Sequence, residues 1–266
     1  MIIFIKGLII GGTMLVPGVS GGTMAMILGV YDKLIFAVSS FGKNKARNLR
    51  TLAIAAIGGI IGIYLLSKPI EYLLATFTVP TLYFFTGAVV GSIPMIYRKS
   101  LLNKFSYRGC AYILLGVMIV FGISIIPTGL MDGSDVSLLI IVFAGIIAAI
   151  ALVLPGISVS YLLLVIGVYD NTMVAVSDLN FSYLLPLGIG LLMGIMLFTR
   201  ILEKAMDKHP QPTYLIILGF VVGSLYEVFP GIPTGQDLII SAVTFIVGIL
   251  IIIYLTNLSN SSSKLD

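Results

Sequence analysis

The amino-acid sequence predicts an all-α polytopic membrane protein made of two inverted repeats, each a re-entrant helical hairpin followed by three transmembrane helices. Three observations carry this. Of the 266 residues, 59% are hydrophobic and 10% are charged, where soluble domains carry about 25% charged residues. Apolar runs fill nearly the whole length, with no polar stretch longer than a loop. The chain also contains one stretch twice, and its positive charges gather in a few loops.

The repeated stretch is LVPGVSGGTMAMILGVYDKLIFAVSS at 15–40 and VLPGISVSYLLLVIGVYDNTMVAVSD at 153–178. At an offset of 138, Pro17, Gly18, Ser20, Gly29, Val30, Tyr31 and Asp32 meet Pro155, Gly156, Ser158, Gly167, Val168, Tyr169 and Asp170. Chance does not produce such a run, so the chain is an internal duplication, with repeat 1 at 1–133 and repeat 2 at 134–258. In both copies a Pro-Gly interrupts an apolar segment, and matched breaks of this kind in membrane proteins point to a transport site.

Residues 2–16 and 20–39 flank the first break. The loop FGKNKARNLR follows, then a helix over 51–66 that should end at Ser67-Lys68-Pro69. A second helix covers 70–96, interrupted near Pro80, and a third covers 110–127, closed by a loop with Asp132 and Asp135. In the second half, 138–154 and 158–177 flank the break, and 184–199, 213–229 and 238–256 are the three spans. Here the offset is 132: Gly62, Glu71, Pro80 and Thr81 match Gly194, Glu203, Pro212 and Thr213, and VVGS at 89–92 matches VVGS at 221–224. The Gly-x-x-x-Gly pairs Gly87/Gly91 and Gly219/Gly223 read as helix-packing faces. The polar end, 259–266, is expected to be a disordered tail.

Charge sets the topology. If each broken segment enters and leaves on one side, loops 40–50, 97–108 and 200–212 share a face and hold most of the Lys and Arg, while loops 127–137, 178–183 and 230–237 hold none. If each crossed once, Arg200, Lys204 and Lys208 would face away from the other basic loops, against the positive-inside rule. The hairpin reading follows. Each half then crosses an odd number of times, the halves are inverted, and both termini are cytoplasmic. The net charge of +4 therefore reports orientation rather than nucleic-acid binding.

A helix that begins in mid-membrane presents free N–H groups and the positive end of its dipole. At the first break those residues are Ser20, Gly21, Gly22 and Thr23, with Ser20 a cap and the glycines permitting close approach of a ligand. At the second they are Ser158 and Ser160, without the glycine pair. Two such ends together make an electropositive, hydroxyl-lined site for an anion, phosphate above all. The competing account is a pair of packing kinks. Asp32 and Asp170 fit either helix starts or proton coupling. Lys68 with Glu71, and Arg200 with Glu203, are spaced as ion pairs whose cations either snorkel to the interface or receive head groups, and the two glutamates are further candidates for coupling. Glu227 has no basic neighbour in sequence and is either a protonated coupling carboxyl or interfacial.

One cysteine and one histidine exclude an intrachain disulfide and a transition-metal cluster, and no cofactor is expected. No His/Asp/Arg constellation suggests a membrane phosphatase, so the chain reads as a transporter and not an enzyme. A transporter of a small soluble anion is equally compatible with the half-helix physics.

At PGVSGGTMAMILGVYD and its echo PGISVSYLLLVIGVYD, the sequence resembles a bacterial membrane family once known only as a domain of unknown function, the polyprenyl-phosphate transporters (the PopT family). The resemblance spans essentially the whole chain. It implies that undecaprenyl phosphate, the lipid carrier for cell-wall polymers, is returned from the outer to the cytoplasmic leaflet of the bacterial inner membrane. It also implies two re-entrant hairpins of opposite orientation. Residue roles carry over only at Pro17 to Thr23 and Pro155 to Ser160, and Val159-Ser160 departs from the Gly-Gly of the first copy.

Overall fold

The computed structural model describes residues 2–16, 18–101, 106–129 and 137–262, and all regular structure among them is helical. Pro17, Asp132 and Asp135 lie outside the described residues. The helices are α1 (Ile2–Thr13), α2 (Gly21–Ile27), α3 (Tyr31–Ser39), α4 (Lys45–Thr76), α5 (Thr78–Lys99), α6 (Tyr107–Ile125), α7 (Leu138–Val153), α8 (Val159–Ile166), α9 (Tyr169–Ser177), α10 (Phe181–Lys208), α11 (Pro210–Val228) and α12 (Gln236–Ser262). Six are long and apolar enough to cross a bilayer: α4, α5, α6, α10, α11 and the 237–256 part of α12. The protein is a multi-span helical membrane protein.

Three boundaries differ from the sequence reading. The helix expected to stop at Ser67-Lys68-Pro69 continues to Thr76 with Pro69 inside it. An interior proline costs a helix about 3 kcal/mol, but ending the helix there would leave backbone groups unpaired at membrane depth, which costs more. The break placed near Pro80 is at Phe77, and Pro80 occupies the first turn of α5, where its missing N–H has no acceptor to lose. The equivalent break is at His209, with Pro210 opening α11. Both breaks are stitched the same way: Thr81 Oγ1 donates to the Leu73 carbonyl (3.3 Å) and Thr213 Oγ1 to the Ala205 carbonyl (3.0 Å). The third difference is α12, which runs to Ser262 and takes in four residues of the expected tail.

Segments 20–39 and 158–177 are each bent sharply rather than continuous. The axes of α2 and α3 meet at 116° and those of α8 and α9 at 114°. Gly29 (φ +67°) and Gly167 (φ +91°) supply the left-handed backbone that ends the first helix of each pair. The amides of Val30 and Val168 then close back onto the Ala25 and Leu163 carbonyls.

Small residues set the helix pairing. A methyl group at Gly11 or Gly62 would lie 2.0 Å from the Gly59 or Leu8 carbonyl oxygen, so α1 and α4 meet backbone to backbone. Gly7 and Gly11 meet Ala55 and Gly59 in rising order, so the two helices run parallel. The same pattern joins α7 to α10 through Gly145, Gly190 and Gly194. Gly87 and Gly91 receive α12, and Gly219 and Gly223 receive α6, again in parallel, so helices of one half pair with helices of the other. The central α5 and α11 are antiparallel. Tyr83, near the start of α5, donates to the Gly231 carbonyl beyond the end of α11 (3.0 Å), while Lys99 at the end of α5 lies 5.6 Å from the ring of Tyr214 at the start of α11.

Candidate functional site

The tips of the two broken segments, at the starts of α2 and α8, meet and are bolted together. Ser20 has extended backbone (φ −84°, ψ 147°) and caps α2, its Oγ accepting the Thr23 amide at 3.0 Å. The Gly156 amide of the second tip donates to both Ser20 Oγ (3.1 Å) and Thr23 Oγ1 (2.9 Å). Tyr31 adds a second tie, its hydroxyl donating to the Val153 carbonyl at the end of α7 (2.8 Å). Both tips press on α11. Gly18 sits against the backbone of Glu227, and a methyl group on Gly156 would lie 2.4 Å from the Phe220 carbonyl oxygen.

Beside this joint is a cavity of about 400 Å³. The first tip gives it Ser20 and Gly21, the second gives Ser158, Val159 and Ser160, and α11 gives Glu227. Ser158 caps α8 as Ser20 caps α2, accepting the Tyr161 amide at 3.3 Å. In each helix the first two amides, of Gly21 and Gly22 and of Val159 and Ser160, precede any intrahelical acceptor. A second space of about 580 Å³ shares Ser158 and Glu227 and reaches Ser124, Tyr161 and Tyr226, towards the ends of α6 and α11. The Tyr161 hydroxyl donates to the carbonyls of Ser124 (3.0 Å) and Ile126 (3.2 Å), holding that wall in place.

Other residues fall elsewhere. Gly22 and Thr23 are buried in the joint: a methyl group on Gly22 would lie 3.2 Å from Pro155 N, against backbone rather than open space. Lys68, Arg200 and Glu71 are exposed and Glu203 is half-buried, all away from the cavity, and neither expected i,i+3 ion pair forms. Among the described residues no Lys or Arg lines the cavity, so the expected electropositive character rests there on backbone amides, and the ionisable side chain among them is the acidic Glu227.

Asp32 and Asp170 are not caps. Val30 and Val168 hold the cap positions, and the two aspartates sit one step inside the first turn, where a carboxylate complements the dipole. Asp32 pairs with Lys99 at 2.5 Å, whereas Asp170 is exposed and forms no ion pair among the described residues. Sequence reasoning missed the Gly156 amide as the bolt and gave no sign that Glu227 meets the tips. The Pro-Gly at 155–156 was the available signal for the first; the second depends on how α11 packs.

Comparison with known proteins identifies the family. Residues 10–243 match the model of a family described as undecaprenyl phosphate translocase-like. The chain belongs to this family. It is 35% identical over 262 residues to a protein of Staphylococcus aureus named polyprenyl-phosphate transporter, covering 93% of each chain. It is 30% identical over 241 residues to a protein of the same name from Vibrio cholerae, covering 85% of this chain and 77% of that one. Both family members are named as transporters rather than enzymes. No solved structure matches.

Proposed function

We propose that this protein carries a polyprenyl phosphate, undecaprenyl phosphate in particular, from the outer to the cytoplasmic leaflet of a bacterial inner membrane, returning the carrier to cell-envelope polymer synthesis. The observation that carries the reading is the cavity bounded by the starts of α2 and α8. There the amide groups and the hydroxyls of Ser20, Ser158 and Ser160 replace phosphate hydration while the isoprenoid tail stays in lipid. The names of the two relatives support the lipid as cargo.

Glu227 gives the site its chemistry of coupling. An ionised carboxylate beside a phosphate is repulsive, so the head group binds when Glu227 is protonated and leaves when it ionises. Asp32, locked to Lys99, and Asp170, exposed at the outside of the fold, are poorly placed for that role.

The inverted, re-entrant arrangement is part of the proposal. α1 and α4 run parallel, so the chain that enters through α1 is back at the same end when α4 begins; α7 and α10 repeat this. The corresponding helices α5 and α11 are antiparallel, as inversion requires. The basic loops place both termini in the cytoplasm. After exposed Cys110 is replaced by serine, cysteines at Asn44 and Lys208 are expected to resist an impermeant maleimide added to whole cells, and one at Asp178 to react. Reaction at 208 with protection at 178 would overturn the inversion.

Transport itself is tested in proteoliposomes holding a labelled polyprenyl phosphate. The expected result is protein-dependent movement between leaflets that a large excess of inorganic phosphate barely slows. If inorganic phosphate is itself carried and competes at equal concentration, the cargo is a small soluble anion.

A further inference from the structure

A third cavity, of about 270 Å³, lies where α3 turns into α4, and shares no lining residue with the other two. Three cations converge on it, Lys33 from α3 and Lys43 and Arg47 from the loop and first turn of α4. Among the described residues no carboxylate lines it. The nearest in sequence, Asp32, is held by Lys99. A fourth cation, Lys6 of α1, is within electrostatic reach of Lys33. Like charges gathered around a concavity repel one another unless an anion sits among them.

The surroundings are built rather than incidental. Asn48 is buried and its amide donates to the Ser40 carbonyl (2.9 Å) and hydroxyl (3.3 Å), fixing the start of α4 against the end of α3. Asn44 caps α4 by accepting the Arg47 amide at 3.3 Å. Phe36, half exposed, gives the cavity an apolar wall beside its cations. Orientation by the positive-inside rule needs cations on one face; it does not need them to share a hollow. The second hairpin has no counterpart, since Asn171 replaces Lys33 and the residues after α9 include no Lys or Arg before Arg200.

We propose that this cavity is a second anion site, which binds the phosphate head group of a membrane lipid at the basic end of the molecule. Cations and an apolar wall side by side suit an amphiphile whose phosphate lies at the interface and whose chain lies in the bilayer. The site stands independently of what the central cavity carries.

The chain has no tryptophan, so Phe36→Trp places a single tryptophan, excited apart from the tyrosines, in the cavity wall. The full-length variant in phosphatidylcholine nanodiscs is titrated with phosphatidylglycerol, with farnesyl phosphate and with inorganic phosphate. A saturable spectral change is expected with a lipid phosphate. Its midpoint should rise about fivefold with Lys33→Gln and about a hundredfold with Lys33→Gln, Lys43→Gln and Arg47→Gln together, following the usual loss per cation at a membrane surface. Lys33→Gln leaves the loop cations that set orientation untouched, so it remains informative if the triple variant inserts wrongly.

The probe that saturates at the lowest concentration names the source: phosphatidylglycerol a resident phospholipid, farnesyl phosphate an isoprenoid carrier. Preference for inorganic phosphate, no saturable change with any probe, or an undiminished response in Lys33→Gln overturns the proposal. None of these outcomes bears on transport through the hairpin cavity, which Gly21→Val tests separately.

Discussion

Replacing Gly21 with valine is expected to cut transport about ten- to a hundredfold at limiting lipid while the protein still inserts and folds. The atoms nearest a Cβ at this position belong to the Met14 side chain, with Sδ at 2.9 Å. Methionine gives way easily, so the cost to stability should stay near or below about 1 kcal/mol. The branched side chain would instead enter the cavity and shield the first amides of α2 from a phosphate. A hydrogen bond to a charged group is worth about 1.5–3 kcal/mol, so loss of the Gly21 amide alone should lower affinity about ten- to a hundredfold.

The adjacent change separates the two uses of the glycine pair. In Gly22→Val the new side chain meets the Leu154–Pro155 backbone at 3.2–3.3 Å, which cannot rotate away. Stability should fall by about 1–3 kcal/mol, with transport following it. Val159, at the position equivalent to Gly21, already lines the cavity, and Val159→Gly should be tolerated. Thermal unfolding in detergent, read beside proteoliposome transport, makes the comparison. Normal transport by Gly21→Val would remove the phosphate from the first hairpin.

The largest loss of stability is expected from Gly156→Ala. This residue has φ +79°, and a methyl group on it would press to 2.4 Å from the Phe220 carbonyl oxygen. The left-handed backbone costs about 1–2 kcal/mol for an L-residue and the overlap about 1–3 kcal/mol more. Together these approach the whole stability of a marginal domain, about 5–15 kcal/mol. Relief of the overlap would pull the amide from Ser20 and Thr23 and unfasten the tips. Gly129 is the internal control, with the same φ of +79° and nothing within 4 Å of an added methyl group. Gly129→Ala should therefore cost only the backbone term. Equal unfolding temperatures for the two variants would show that contact with α11 contributes nothing.

Much of this was legible because the duplication acts as an internal control on every assignment. The VVGS pair is an example: Ser92 Oγ donates to the Val89 carbonyl and Ser224 Oγ to the Val221 carbonyl, one local bond written twice. Helix ends were harder to read. Pro69 and Pro80 look alike in sequence, but one lies within a helix whose backbone must stay paired in lipid and the other in a first turn that needs no donor. The capping serines were identifiable from the Pro-Gly breaks. What could not be read was which atoms of one tip meet the other. Gly22 and Thr23 turned inward because the Leu154–Gly156 backbone occupies the space on that side. Lys68 and Arg200 were attractive as rare charges in apolar helices, yet their helices turn them outward.

The crossed pairing of the halves has a consequence for biosynthesis. α5 carries the glycine stripe that receives α12, and α6 packs on α11, so neither helix has its partner when the first half leaves the ribosome. About 140 residues separate α5 from α12, and at about 5–20 residues per second the stripe waits roughly 7–30 s. During that interval Gly87 and Gly91 face lipid or the insertion machinery. A nascent chain arrested after α6 would therefore present two unmatched surfaces, a signal by which membrane quality control can tell an unfinished molecule from a finished one.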